Sequence, residues 1–197
     1  MAYFQRVLHR LYGSHRCVVT WNALAGPPAP DHVGNIVFRL ATPSDLERLD
    51  HLEPYGRGAR DRAYVEKDHD WLFVACHEDR VVATRRYGRM IRHDLVSRVL
   101  TLGEGQLWSA DIFCLPEYRN RGLPRHLGHF AERLLAARGY TELFGVVAVT
   151  NTASLRTVLG KGARPVYHIS YRRVLFHERL LVSKDIPCDL VDGLPPR

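Results

Sequence analysis

The stretch Gln106–Ala137, QLWSADIFCLPEYRNRGLPRHLGHFAERLLAA, decides how the rest of the chain is read. Trp108 to Cys114 predicts a buried strand, because apolar residues dominate it and Asp111 is its one carboxylate. Pro116 ends that strand. After a short basic turn, Leu123, Leu127, Phe130 and Leu134 recur at helical spacing, while Arg125, Arg133 and Arg138 can face elsewhere. The order is strand, turn, helix. Alternation along the strand predicts Ser109, Asp111 and Phe113 on one face, and Ala110, Ile112 and Cys114 on the other.

The turn Arg119-Asn120-Arg121-Gly122-Leu123-Pro124 has the features of an anion cradle. Gly122 lets the backbone approach a ligand, Pro124 suits a first helical turn, and the N–H groups at a helix start carry partial positive charge. Arg119, Arg121 and Arg125 add full charges. On residue types alone, a solvated basic helix start explains the turn as well. Neither glycine-rich nucleotide fingerprint occurs: no Lys-Ser/Thr pair follows a glycine loop, and there is no three-glycine turn.

IFCLPEYRNRGLPR resembles motif A of the GNAT superfamily of acyl-CoA N-acyltransferases, whose turn reads Arg/Gln-x-x-Gly-x-Gly/Ala. Arg119 and Gly122 match, and Pro124 stands where the family has Gly or Ala. Proline has no N–H to offer a phosphate there. A second block, VTNTASLRTVLGKGA (Val149–Ala163), resembles the family's Asn-x-Ala-Ser motif. The two lie in the family's order and spacing.

The resemblance implies a single mixed α/β GNAT-like domain, with a central β-sheet flanked by helices. Its fourth and fifth strands, Trp108–Cys114 and Leu143–Val149, would splay apart. The pantetheine of acetyl-CoA, or of another acyl-CoA, would pair with the backbone of Ile112, Phe113 and Cys114. Asn120 to Arg125, Leu123 and Pro124 included, would cradle the diphosphate with Arg119, and Asn151 and Ser154 would reach the cosubstrate from the next strand–helix junction. Asn151 is equally a good helix N-cap. An acyl group, acetyl above all, would pass by direct attack to an amine-bearing small molecule or peptide.

Asp111 is the leading candidate to act as base or to orient the acceptor, and a salt bridge to an arginine is its structural alternative. Many family members carry a tyrosine where this chain has Val158, and some carry a glutamate where it has Val146. Ser154, Tyr167 and His168 are the candidates for the missing acid, and Tyr167 joins Asp111 in the catalytic assignment. Two alternatives stay open: a longer acyl group delivered by coenzyme A or an acyl carrier protein, and a catalytically weak coenzyme A-binding module.

The rest of the chain fits one catalytic unit. Its 197 residues, 46% of them hydrophobic, suffice for one substantial core. Residues 1–34 read as an N-terminal arm and linker, with a basic amphipathic helix carrying Phe4, Val7, Leu8 and Leu11, then strand-like CVVTW and GPPAP. Residues 35–178 read as the acyltransferase domain and 179–197 as a tail. Asn35–Leu40 predicts a strand, Thr42 to Asp45 caps a helix reaching about Leu52, and Glu53–Asp70 reads as an irregular charged segment. There Tyr55, Arg57, Arg60 and Tyr64 are candidate acceptor contacts, with a solvated loop as the alternative. Trp71–Cys76 and Val81–Met90 predict a hairpin, and Leu95–Leu102 a further strand or an excursion.

A net charge of +7 favours anionic partners. The arginine-rich segments lack the aromatic interleaving of a nucleic-acid motif, which argues against nucleic acid. His126 and His129 are three apart on a helix, yet no Cys or carboxylate cluster completes a metal site, so no metal is expected. Four scattered cysteines read as reduced thiols. With no membrane-spanning run and no signal-like start, the expectation is a cytoplasmic protein, with a homodimer left open.

Overall fold

The computed structural model describes residues 12–24, 29–68, 70–174 and 177–185. The helix expected over residues 1–11 and Cys188 lie outside them. In chain order the described residues form β1 (Tyr12–Ala23), β2 (His32–Val33), β3 (Ile36–Leu40), α1 (Pro43–Glu47), a 3-10 helix (Leu49–Tyr55), α2 (Gly58–Asp68), β4 (Trp71–His77) and β5 (Arg80–Gly88). There follow β6 (Gln106–Cys114), a 3-10 turn (Pro116–Tyr118), α3 (Leu123–Ala136), β7 (Glu142–Ala148), α4 (Thr152–Gly160), β8 (Arg164–Val174) and β9 (His177–Ser183). The class is mixed α/β, as the sequence led one to expect.

Two compact units form. One comprises Leu24–Met90 and Leu102–Leu143; the other comprises the described residues of Met1–Ala23, Ile91–Thr101 and Phe144–Arg197. In the first, the strands lie in the order β2-β3-β4-β5-β6, with antiparallel neighbours throughout. Helix α3 covers one face of this sheet with Leu123, Leu127, Phe130, Ala131 and Leu135, all buried. Phe130 meets Phe38 and Phe73 with ring centroids 6.2 and 6.3 Å apart. Each such side chain contributes about 1.5–3 kcal/mol by leaving water. The amphipathic spacing read from the sequence is thus the packed face.

Helix α1 starts on a capping box. The Asp45 N–H bonds Thr42 Oγ1 at 3.3 Å, and Asp45 Oδ2 accepts from the Thr42 N–H at 2.8 Å. Burial pushes the Asp45 carboxyl up, but hydrogen bonds from Arg39 and Thr42 outweigh it and hold it below its ordinary value. The helix ends at Glu47, short of the expected Leu52, and the chain continues as the 3-10 helix containing Pro54. Proline cannot donate within an α-helix, which favours the tighter form.

In the other unit the strand order is β7-β1-β8-β9. Strand β1 runs antiparallel to β8 from Tyr12↔Val174 to Trp21↔Arg164, so the strand-like CVVTW is the middle of a longer strand. Val18, Val147 and Leu155 form one buried cluster there, with Val158 packed against them. Leu95–Leu102, read as a strand or an excursion, forms turns over 95–99 and has no regular structure over 100–102.

Two other readings change. Glu53–Asp70 is not irregular, since 58–68 is helical; its sequence GARDRAYVEKD has no apolar stripe to reveal that. The alternation on β6 is broken as well. Arg86 pairs with Asp111 and Tyr87 with Ser109, which leaves Ala110 without a partner across the ladder. This bulge puts Ser109, opposite Tyr87, on the α3 face with Ile112 and Cys114, while Asp111 and Phe113 keep the other.

Cys17 and Cys76 are free, buried thiols, and burial pushes each from its ordinary value of 9.0 to about 11. The unfolded chain therefore loses these protons first. Stability is intact below about pH 9 and drains as pH rises towards 11, by about 2–3 kcal/mol per thiol. Urea unfolding across this range should show that decline, and a Cys17→Ala/Cys76→Ala variant, weaker at neutral pH, should show a flatter one.

Candidate active site

The turn after β6 is built by its backbone. Asn120 and Gly122 both take left-handed conformations, with φ of 60° and 70°. A Cβ on Gly122 would meet only the His126 ring at 3.6 Å, so glycine is required there by conformation and not by space. Arg119 Nε donates to the Cys114 carbonyl at 3.1 Å and ties the turn to the strand end. The Arg121 guanidinium lies 5.4 Å above the Tyr118 ring, and Tyr118 Oη is 2.8 Å from His77 Nδ1. Leu123 is buried and anchors the helix start, leaving Arg119, Asn120, Arg121, Gly122 and Arg125 exposed.

Pro124 sits in the first turn of α3, and the Arg125 and His126 N–H groups already bond the Gly122 carbonyl at 3.0 and 3.1 Å. Of the helix-start amides, Pro124 has no N–H and Arg125 is taken by the Gly122 carbonyl, which leaves those of Gly122 and Leu123 for an anion. The charge available to one comes chiefly from three exposed guanidiniums. They suit a diphosphate, which guanidinium forks bind well. His126 stacks on Phe38, with centroids 6.5 Å apart.

Asp111, next to the bulge, is held by two arginines. Its Oδ1 accepts from Arg57 Nη2 at 2.8 Å, and its Oδ2 accepts from Arg60 Nη2. The salt bridge weighed in the sequence is therefore present, with both carboxylate oxygens engaged. Arg57 also donates to the Ile112 carbonyl at 3.2 Å and lies 5.2 Å above the Phe113 ring. Tyr55 packs on the same ring at 5.2 Å. Of the contacts proposed from the 53–70 segment, Tyr55, Arg57 and Arg60 thus gather over Asp111 and Phe113, and the Tyr64 side chain lies outside the described ones.

Beneath them lies a buried charge layer. Asp61 Oδ1 is 3.9 Å from both Arg57 Nη1 and Arg86 Nη1, and Thr84 Oγ1 donates to Asp61 Oδ2 at 3.2 Å. Arg86 Nε is 3.7 Å from Asp70 Oδ2. Burial pushes the Asp61 carboxyl up and the Arg57 guanidinium down. Sequence reading missed Asp61 and Arg86. The available signal was the adjacent pair Arg85-Arg86 in an apolar strand, since alternation sends one to each face and each then needs a carboxylate.

The remaining candidates belong to the other unit. Asn151 Oδ1 accepts from the Ser154 N–H at 3.2 Å, so Asn151 caps α4, the alternative role foreseen for it. Tyr167 is half-buried on β8 opposite Val19, and the neighbouring His168 is buried. Val158 packs against the Val18, Val147 and Leu155 cluster.

The model of the acetyltransferase (GNAT) family matches residues 40–159. The chain belongs to the GNAT family. Its fold is similar to that of a GCN5-related N-acetyltransferase from Sphaerobacter thermophilus, with TM-score 0.61 and 17% identity over 89% of this chain and 56% of that one. It is also similar to a GNAT-family acetyltransferase from Novosphingobium aromaticivorans, with TM-score 0.56 and 15% identity over 88% and 66%. An aminoglycoside N-acetyltransferase in complex with CoA gives TM-score 0.53 and 19% identity over 72% and 98%. This chain thus spans less than two thirds of the first two proteins. At these identities the likeness is one of fold. No curated protein sequence matches.

For this GNAT chain, Gly58 sets how closely α2 lies on the 3-10 helix before it. A Cβ there would stand 2.5 Å from Glu53 Oε1 and 2.6 Å from the Leu49 carbonyl. Gly58→Ala must push α2 outward, carrying Arg57 and Arg60 with it. We expect it to destabilise the protein by about 1–3 kcal/mol in urea unfolding.

Proposed function

We propose that the protein is an N-acyltransferase that moves an acyl group, acetyl in the first instance, from coenzyme A to an amine. The observation that carries this reading is the turn of Arg119 to Arg125, with its left-handed Gly122 and exposed guanidiniums, closing the strand that bears Asp111 in a chain of the GNAT family. The acyl thioester supplies an electrophilic carbonyl and a thiolate leaving group.

The other tasks fall to the chain. Arg119, Arg121 and Arg125 hold the diphosphate, and the backbone of Ile112 to Cys114 takes the pantetheine amides. Asp111, with both oxygens engaged by guanidiniums, is better suited to orient the acceptor nitrogen than to remove its proton, which passes to water. Held close and aligned, the amine gains most of its advantage from proximity.

Mass spectrometry of the protein incubated with acetyl-CoA and pooled amines should reveal a product heavier by one acetyl group; no product together with no coenzyme A binding would refute the reading. Because the diphosphate is held by side-chain charge, coenzyme A affinity should fall steadily with added salt. Arg121→Ala and Arg125→Ala should each weaken it about tenfold or more in calorimetry, the effect of one charge-assisted hydrogen bond. Asp111→Asn should lower kcat/KM about 10–100-fold while coenzyme A affinity is retained.

A further inference from the structure

We infer that the acceptor is an amine carrying a carboxylate close to its nitrogen, as in an α-amino acid, and not a polycationic amine. This rests on the acyltransferase reading and names the substrate class for that site. The surface group consists of one carboxylate between two guanidiniums: Asp111, 21% exposed, with Arg57 at 11% and Arg60 at 47%. Its formal charge is +1. Arg57 is fixed by Asp111, by the Ile112 carbonyl and by the Phe113 ring. Arg60, nearly half exposed, is the member able to exchange one carboxylate for another.

A zwitterion fits such a set. Its nitrogen bonds Asp111 in place of Arg60, and its carboxylate takes the released guanidinium fork, so every charge keeps a partner. The nitrogen then lies beside Ile112, whose backbone is assigned to the acyl donor. Tyr55 and Phe113, 5.2 Å apart, offer an aromatic wall for the acceptor's side chain. A polyamine or aminoglycoside can displace Arg60 from Asp111 but brings no anion to receive it, and so leaves one guanidinium unpaired and the cluster with excess positive charge. With the layer beneath, three guanidiniums (Arg57, Arg60, Arg86) face three carboxylates (Asp61, Asp70, Asp111), so the whole cluster is formally neutral and an incoming anion and cation must arrive together to keep it so.

The test uses the whole chain with acetyl-CoA and matched acceptors: α-amino acids, their amides, an aminoalkyl phosphate, spermidine and an aminoglycoside. Coenzyme A release gives kcat/KM, and calorimetry gives binding of the same amines. The acids should exceed their amides and the polycations by about tenfold or more, as one charge-assisted pair demands. Arg60→Ala should collapse the acid-to-amide ratio towards one, chiefly through KM, and Arg60→Lys should restore part of it.

Equal use of acids and amides, preference for a polycation or the phosphate, or a ratio unmoved by Arg60→Ala would each overturn the inference. Acid-selective binding with neither turnover nor coenzyme A binding would support this acceptor class while refuting the transferase reading. Turnover without acid selectivity would do the reverse.

Discussion

A strand that carries two adjacent arginines must satisfy a guanidinium on each of its faces, and the unit that bears the candidate site is arranged around that requirement. On β5, Arg85 Nη2 donates to Glu132 of α3 at 3.2 Å, and the Tyr87 hydroxyl donates to the same oxygen at 3.3 Å. On the opposite face Arg86, 3% exposed, lies between Asp61 of α2 and Asp70. A buried charge that loses its partner costs several kcal/mol, far more than any surface pair returns. Helices α3 and α2 are therefore held to opposite sides of the same strand by need of charge as well as by apolar burial.

That arrangement links the core to the chemistry. Asp61 approaches Arg86 and Arg57 alike, so the carboxylate that neutralises the strand also sets the residue over Asp111. Gly58 lets the start of α2 come close enough for this to happen. The candidate site is an extension of packing: Arg57 and Arg60 over Asp111 are the outer members of a network whose inner members, Asp61 and Arg86, are structural.

The sequence made the strand-turn-helix segment and the hairpin legible, because both rest on apolar periodicity and turn residues that are local properties. Asn151 was legible in its two roles, and the cap is the one the structure displays. Helix α2 was not legible. Its charged residues pair with strands distant in sequence, so its stability comes from contacts that no local pattern records. Arg57 and Arg60 could be named from the sequence only as residue types, since what distinguishes them from a solvated loop is Asp111, more than fifty positions away. Pro124 was visible at once as an amide lost to the helix start, and the structure adds that the Arg125 N–H is bonded to the Gly122 carbonyl.

The unpaired Ala110 has an effect beyond its own position. Because the ladder skips it, Ser109 and Asp111, two residues apart, look out on opposite sides of the sheet. The strand is really two segments out of phase, with Asp111 to Cys114 in the second. Losing that single residue would restore a regular ribbon and swing one segment half a turn, so the length of this strand is constrained more tightly than the identity of the residue that interrupts it.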